Sequence, residues 1–131
     1  MVRKFAYRGY TLDELNKMSL EDFANILPSK ERRHILRGMS EAERKLLKKV
    51  HVASRTQEEK KIKTHAREMV ILPEMVGLTI QVHNGSEFIP LKIEAPMIGR
   101  RLGEFVLTNK LVKHGMPGVG ATRSSLYVPL K

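Results

Sequence analysis

Residues 78–93, LTIQVHNGSEFIPLKI, predict a β-hairpin in the second half of the chain. Its first half alternates apolar and polar residues, so that Leu78, Ile80 and Val82 share one face of a strand. The Asn-Gly pair that follows is the dipeptide favoured in tight hairpin turns. The returning strand contains Pro90, whose missing N–H favours a position at the edge of a sheet.

Short helices are predicted upstream of the hairpin, each preceded by a residue type that caps helices. Thr11, Ser19, Ser29 and Ser40 stand directly before runs with apolar residues at helical spacing. After three of these four residues, an Asp or Glu follows at the spacing of a capping box. Gly38 is placed to end the third helix.

The segments on either side of this region are harder to assign from pattern. Residues 55–63 contain a single apolar residue and are predicted to be a connector. After the hairpin, Pro96 is suited to the first position of a helix. That helix would carry Ile98, Leu102 and Phe105 on one face.

Two glycines within this last predicted helix would leave a second face open to close approach. Gly99 and Gly103 lie four residues apart, and Arg100 and Arg101 flank that face. The pattern is compatible with close packing on the sheet. It is equally compatible with close approach to a sugar–phosphate backbone, with the arginines as anchors.

The patterns together predict an α+β fold, in which a short β-sheet with the hairpin at 78–93 packs with helices. A helical N-terminal extension is assigned to residues 1–43 and the core domain to 44–108. Residues 109–131 are assigned to a flexible, extended basic tail, because glycines and prolines there disfavour regular structure.

The charge balance points to a polyanionic partner. Lys and Arg number 24 against 14 Asp and Glu, which gives a formal charge of +10. Such a charge favours nucleic acid or an acidic membrane surface. No apolar run approaches the roughly 20 residues of a membrane span, and the start lacks the apolar stretch of a signal peptide. Without cysteine, the chain is expected to be cytosolic.

The positive charge is concentrated in two regions. Residues 30–67 carry 13 basic and five acidic residues, and residues 105–131 contain no Asp or Glu. The lysines at 45, 48 and 49 lie largely off the apolar face of their helix. They could form a solvated face or a stripe that faces phosphates, and the sequence leaves both interpretations open.

Patterns of catalytic or nucleotide-binding chemistry are weak. The five histidines show no spacing typical of a zinc site. Residues 115–122, GMPGVGAT, have the glycine spacing of a P-loop, but Ala121 occupies the lysine position, and the segment from Arg123 is predicted to be extended. An aromatic content of 5% disfavours recognition of a stacked single strand and favours folded RNA.

Two longer motifs make the sequence recognisable. Residues 64–85, THAREMVILPEMVGLTIQVHNG, and residues 97–105, MIGRRLGEF, closely resemble the S-nineteen family of small-subunit ribosomal proteins. The tail at 112–131 resembles the archaeal and eukaryotic branch, whose eukaryotic member is traditionally called S-fifteen. Bacterial members tend to carry a basic residue where this chain has Glu68, so an RNA contact cannot be transferred to that position.

The resemblance implies a structural, non-enzymatic role in translation, without a cofactor, in cytoplasmic ribosomes. It implies binding to folded rRNA in the head of the small subunit, next to ribosomal protein S-thirteen. It further implies a tail that reaches toward the decoding region and tRNA. The alternative is a free nucleic-acid-binding protein of RNA-chaperone or chromatin type, and an enzyme with an unrecognised site is a third interpretation.

The residues predicted to contact RNA fall into two groups. The rRNA-binding group consists of Arg67, Lys92, Arg100, Arg101, Lys45, Lys48 and Lys49. The tail group, directed toward the decoding region, consists of Lys110, Lys113, His114, Arg123, Ser124 and Lys131. No catalytic or metal-binding residue is predicted.

Overall fold

The computed structural model describes residues 4–56, 62–112 and 122–127 and has an α+β architecture, as predicted. The strands are β1 (Ala6–Tyr7), β2 (Tyr10–Thr11), β3 (Ile62–Thr64), β4 (Thr79–His83) and β5 (Phe88–Lys92). The α-helices are α1 (Leu12–Lys17), α2 (Leu20–Ile26), α3 (Ser29–Leu36) and α4 (Glu41–Thr56). Single 3-10 turns lie at Pro73–Met75, Ala95–Met97, Leu102–Glu104 and Arg123–Ser125.

The predicted helix starts are confirmed, with one shift. The Glu14 carboxylate accepts from the Thr11 N–H at 2.7 Å, and the Ser19 hydroxyl accepts from a backbone N–H one turn on. The third helix differs, because Ser29 is its first residue and a proline takes the cap position. Gly38, at φ +100°, follows the end of that helix as predicted.

The hairpin at 78–93 is confirmed and lies in a three-stranded sheet of order β3-β4-β5. β5 is antiparallel to β4 and occupies an edge, with Pro90 opposite Gln81. β3 runs parallel to β4 and was missed, because residues 55–63 were predicted to be a connector. Three residues are too few to show strand periodicity, and α4 continues through Thr56 into the same stretch.

The helix predicted after Pro96 is wrong. Gly99 has φ +80°, which breaks a helix, and the two 3-10 turns are separated by a turn at residues 98–99, a bend at Arg100 and an isolated β-bridge at Arg101. Backbone groups there bond to a neighbouring segment instead: the Gly99 N–H donates to the Ile71 carbonyl at 3.1 Å, and the Ile71 N–H donates to the Arg100 carbonyl at 2.7 Å. Consequently Val106 is buried, while Phe105 remains 37% exposed.

One hydrophobic cluster joins the N-terminal helices to the sheet. Leu15 and Phe23, from α1 and α2, belong to the same buried cluster as Val50 of α4 and Ile80 of β4. This cluster crosses the predicted boundary at residue 43. The N-terminal helices α1 to α3 thus share one hydrophobic core with the sheet. The division of the chain into three segments stays a prediction.

Gly99 marks the closest contact between the N-terminal region and the loop after the sheet. A Cβ added there would lie 2.7 Å from Tyr7 Oη and 2.9 Å from Leu27 Cδ2. Tyr7 is half-buried and its hydroxyl is the far end of a long side chain, but Leu27 is only 2% exposed. Gly77 has a similar φ of +89°, with open space around it.

We expect Gly99→Ala to lower the free energy of unfolding by about 1 kcal/mol more than Gly77→Ala, measured by urea denaturation. Both variants carry the cost of a left-handed backbone, roughly 1–2 kcal/mol. Only Gly99→Ala also forces the buried Leu27 to shift. Equal losses in the two variants would show that this contact does not constrain the fold.

Candidate nucleic-acid interface

The exposed face of α4 carries the lysines predicted to face phosphates. Lys45, Lys48 and Lys49 are exposed at i, i+3 and i+4, while Leu46 between them is buried. Lys45 Nζ lies 2.6 Å from a carboxylate oxygen of Glu41, in an exposed pair that contributes little stability. The helix therefore presents a continuous cationic stripe to solvent.

Arg67 lies inside the fold, where it joins three segments. Its Nη1 donates to the His83 carbonyl at 2.7 Å, and its Nη2 donates to the carbonyls of Gly103 and Val106. The Arg67 carbonyl in turn accepts from the Gly103 N–H at 2.8 Å. These contacts give the side chain a structural role, and its predicted phosphate contact stays a prediction.

The neighbouring arginines 100 and 101 differ in their surroundings. The Arg100 side chain is 68% exposed, and its Nη1 lies 3.9 Å from Glu104 Oε2. The Arg101 side chain is 17% exposed and lies between two carboxylates, with Nε 3.8 Å from Glu31 Oε1 and Nη1 3.9 Å from Glu68 Oε2. Arg100 is thus available to a ligand, whereas Arg101 balances the buried Glu31.

Lys92 and the described tail residues are exposed. Lys92 ends the edge strand β5, and Lys110, Arg123 and Ser124 are open to solvent. The predicted contacts Lys113, His114 and Lys131 lie outside the described residues, as does most of the P-loop-like segment.

The extended conformation predicted from Arg123 onward is wrong at its start. Arg123–Ser125 forms a 3-10 turn, and the hydroxyls of Thr122 and Ser124 are hydrogen-bonded at 3.1 Å. Hydroxyl side chains favour such local turns because they bond to nearby polar groups.

A cluster of three rings at the turn end of the sheet was not found by sequence reasoning. The ring centroids of His65 and His83 are 4.4 Å apart, and Phe88 lies 4.8 Å from His83. Lys63 Nζ lies 5.4 Å from the Phe88 centroid. The hairpin register places His83 opposite Phe88. His65 follows β3 directly, so it comes next to these rings only because β3 pairs with β4.

Glu43 fixes the junction between α3 and α4. Its Oε2 accepts from the Ser40 N–H at 2.7 Å, and its Oε1 lies 2.7 Å from Nε2 of His34. Burial alone would raise the pKa of the Glu43 carboxyl, but the hydrogen bonds from Ser40 and His34 together hold it below its ordinary value. The carboxylate thus stays ionised and sets the orientation of the His34 ring.

Metal-site and membrane-span features bear on the class of the protein. Within the described ranges, no three His, Asp or Glu side chains come together as a metal site. No helix in the described part of the chain is long and apolar enough to cross a membrane. The prominent surface features are cations, on α4, at the end of β5 and beside Gly99, and they indicate a protein that binds a polyanion.

Comparison with known families identifies this class more closely. The family model for ribosomal protein S19 matches residues 33–114, and the chain belongs to this family. The resemblance of residues 64–85 and 97–105 to this family is thereby confirmed, while assignment to the archaeal and eukaryotic branch stays a prediction. Members are structural ribosomal proteins of the small subunit and not enzymes, so this chain binds rRNA within the ribosome and takes part in translation.

We expect Arg67→Ala to lower the free energy of unfolding by about 2–3 kcal/mol, since three partly buried carbonyls lose a charged donor. Arg67→Lys should recover less than half of that loss, because one ammonium cannot reproduce the planar fork of a guanidinium. The exposed Arg100→Ala is the control and should stay within about 0.5 kcal/mol of the wild type.

Urea denaturation followed by circular dichroism measures all three variants. A stable Arg67→Ala protein would mean that water replaces the guanidinium at these carbonyls. The structural assignment of Arg67 would then be contradicted.

Proposed function

We propose that this chain is a protein of the small-subunit head in cytoplasmic ribosomes, where its folded part docks on head rRNA. The observation that carries the proposal is the family match across residues 33–114, most of whose described cations are exposed. The tail motif at 112–131 supports assignment to the archaeal and eukaryotic branch.

The RNA-facing surface is built from the exposed cations. The proposed phosphate contacts are Lys92, Arg100 and the α4 stripe of Lys45, Lys48 and Lys49. Exposed cations reach phosphates at little cost, because the internal ion pairs of Lys45 and Arg100 are themselves solvent-exposed and weak. Phosphate contacts position a protein on nucleic acid. Arg67 stays among the proposed contacts, but two of its nitrogens already donate hydrogen bonds to backbone carbonyls. A phosphate would have to bind its remaining donors.

The tail is proposed to reach toward the decoding region and tRNA, and the folded part to adjoin ribosomal protein S-thirteen. The tail proposal rests on composition, since no Asp or Glu follows Glu104. The exposed Lys110, Arg123 and Ser124 supply cations and a hydroxyl that suit phosphate oxygens. Lys113, His114 and Lys131 complete the proposed contacts of the tail.

A salt wash of isolated small subunits tests this role against that of a free RNA chaperone. An assembled ribosomal protein holds many phosphate contacts at once and should remain with the subunits at salt concentrations that remove loosely bound basic proteins. The measurement is the fraction of tagged chain that sediments with the subunits. Recovery in the wash alone would favour the free nucleic-acid-binding protein.

We expect Arg100→Gln to weaken binding to a transcript of the rRNA head domain and to flatten its salt dependence. The loss of one phosphate contact lowers the log–log slope by about 0.9 on a duplex-like scale. Lys17→Gln, which removes one exposed charge from α1, is the matched control. Equal slopes for the two variants would assign Arg100 to solvent.

A further inference from the structure

A cationic cleft lies between α3 and the loop that carries Arg101. We call it the α3 cleft, and the side chains that determine its charge are Lys30, Arg33, His34, Arg37, Glu68 and Arg101. Three of them, Lys30, Arg33 and Arg37, lie at i, i+3 and i+7, which places them along one face of α3 and its C-cap. None of those three was among the RNA contacts predicted from sequence.

The cations on this helix face are not neutralised by the protein. Within the described ranges, no carboxylate lies at ion-pair distance from Lys30, Arg33 or Arg37. The helix dipole favours the cation at Arg33, in the last turn, but disfavours Lys30, in the first. Neighbouring like charges lower the stability of the free chain, so their placement here requires another explanation.

The opposite wall of the cleft adds a fourth cation that is held in place. Arg101 lines the cleft, and its Nε is buried without a hydrogen-bond partner among the described residues. Glu31, on the buried face of α3, lies 3.8 Å away and Glu68 lies at the cleft's rim, so the guanidinium is oriented before any ligand arrives. His34, also in the lining, is oriented by Glu43.

We propose that the α3 cleft binds the sugar–phosphate backbone of rRNA, with Lys30, Arg33 and Arg37 on successive phosphates and Arg101 at the base. The proposal rests on the proposed function and adds a second RNA-binding surface to it. The family match begins at residue 33, so the first turn of α3 lies outside it.

The geometry favours an RNA strand over an acidic protein segment. Lys30 to Arg37 spans about 10 Å along the helix axis, which equals three axial steps of about 3.4 Å along a nucleic-acid strand and thus covers the three phosphates with room for one more. Two of the three cations are arginines, whose planar fork matches phosphate oxygens in pairs. A row of similar cations suits a regularly repeated anion, whereas carboxylates in a protein segment are irregularly spaced.

The experiment compares two double variants of the full chain in binding to a transcript of the rRNA head domain, across a salt series. Arg33→Gln/Arg37→Gln removes two charges from the cleft, and Lys4→Gln/Lys17→Gln removes two exposed charges elsewhere. We expect the cleft variant to lose about tenfold in affinity per contact and about 1.8 in log–log salt slope. Lys30→Gln is a third variant with half that change in slope.

All five altered side chains are exposed, so the variants should fold, and circular dichroism checks this. The cleft variant should also unfold at a higher temperature than the wild type, because repulsion is relieved. Stabilisation of the wild type by inorganic phosphate that is absent in the cleft variant, combined with transcript binding equal to that of the control variant, would assign the cleft to a free anion and overturn the RNA proposal.

Other outcomes separate this proposal from the proposed function. If the cleft variant binds the transcript like its control but no longer enters small subunits, the cleft holds a protein, and only the cleft proposal fails. If the wild-type chain shows no salt-dependent binding to the transcript, both proposals fail together.

Discussion

The guanidinium of Arg67 joins three parts of the chain that lie far apart in sequence. His83 ends β4, Gly103 lies in a 3-10 turn, and Val106 closes the core, yet one side chain donates to all three carbonyls. Three backbone acceptors would otherwise lose water without gaining a partner. These bonds act together with the backbone bonds between residues 67–71 and 99–103 to position the loop that carries Arg100 and Arg101, the cations proposed to bind RNA.

Arginine therefore has two different roles in this part of the fold, one in bonding within the protein and one at the solvent-exposed surface. Arg67 gives its donors to backbone carbonyls, and the half-buried Arg101 lies at ion-pair distance from two carboxylates, while its Nε has no hydrogen-bond partner among the described residues. Arg100, with its side chain mostly in water, keeps its donors available. Burial and internal partners separate the two kinds of arginine, and charge alone does not. A count of basic residues therefore overstates the surface that is free to bind phosphate.

Local signals predicted much of the fold. The caps at Thr11 and Ser40 and the Asn-Gly turn act over a few residues, and the helices and hairpin formed where these signals indicated. The missed strand β3 has three residues and depends on pairing with β4, so it leaves no periodic signal. The predicted helix around Gly99 failed because backbone bonds to residues 67–71 outweighed local preference. The α3 cleft, likewise, arises from residues far apart in the chain.

The open edge of β5 has a consequence for the time between synthesis and assembly. Between its synthesis and its binding to RNA, a basic protein is free in solution, where its exposed strand edge can contact other copies of the same chain. Pro90 removes one backbone donor from that edge, and Lys92 places a charge at its end. Another strand would find an interrupted row of partners and a charge at the edge, which disfavours continuation of the sheet into an aggregate.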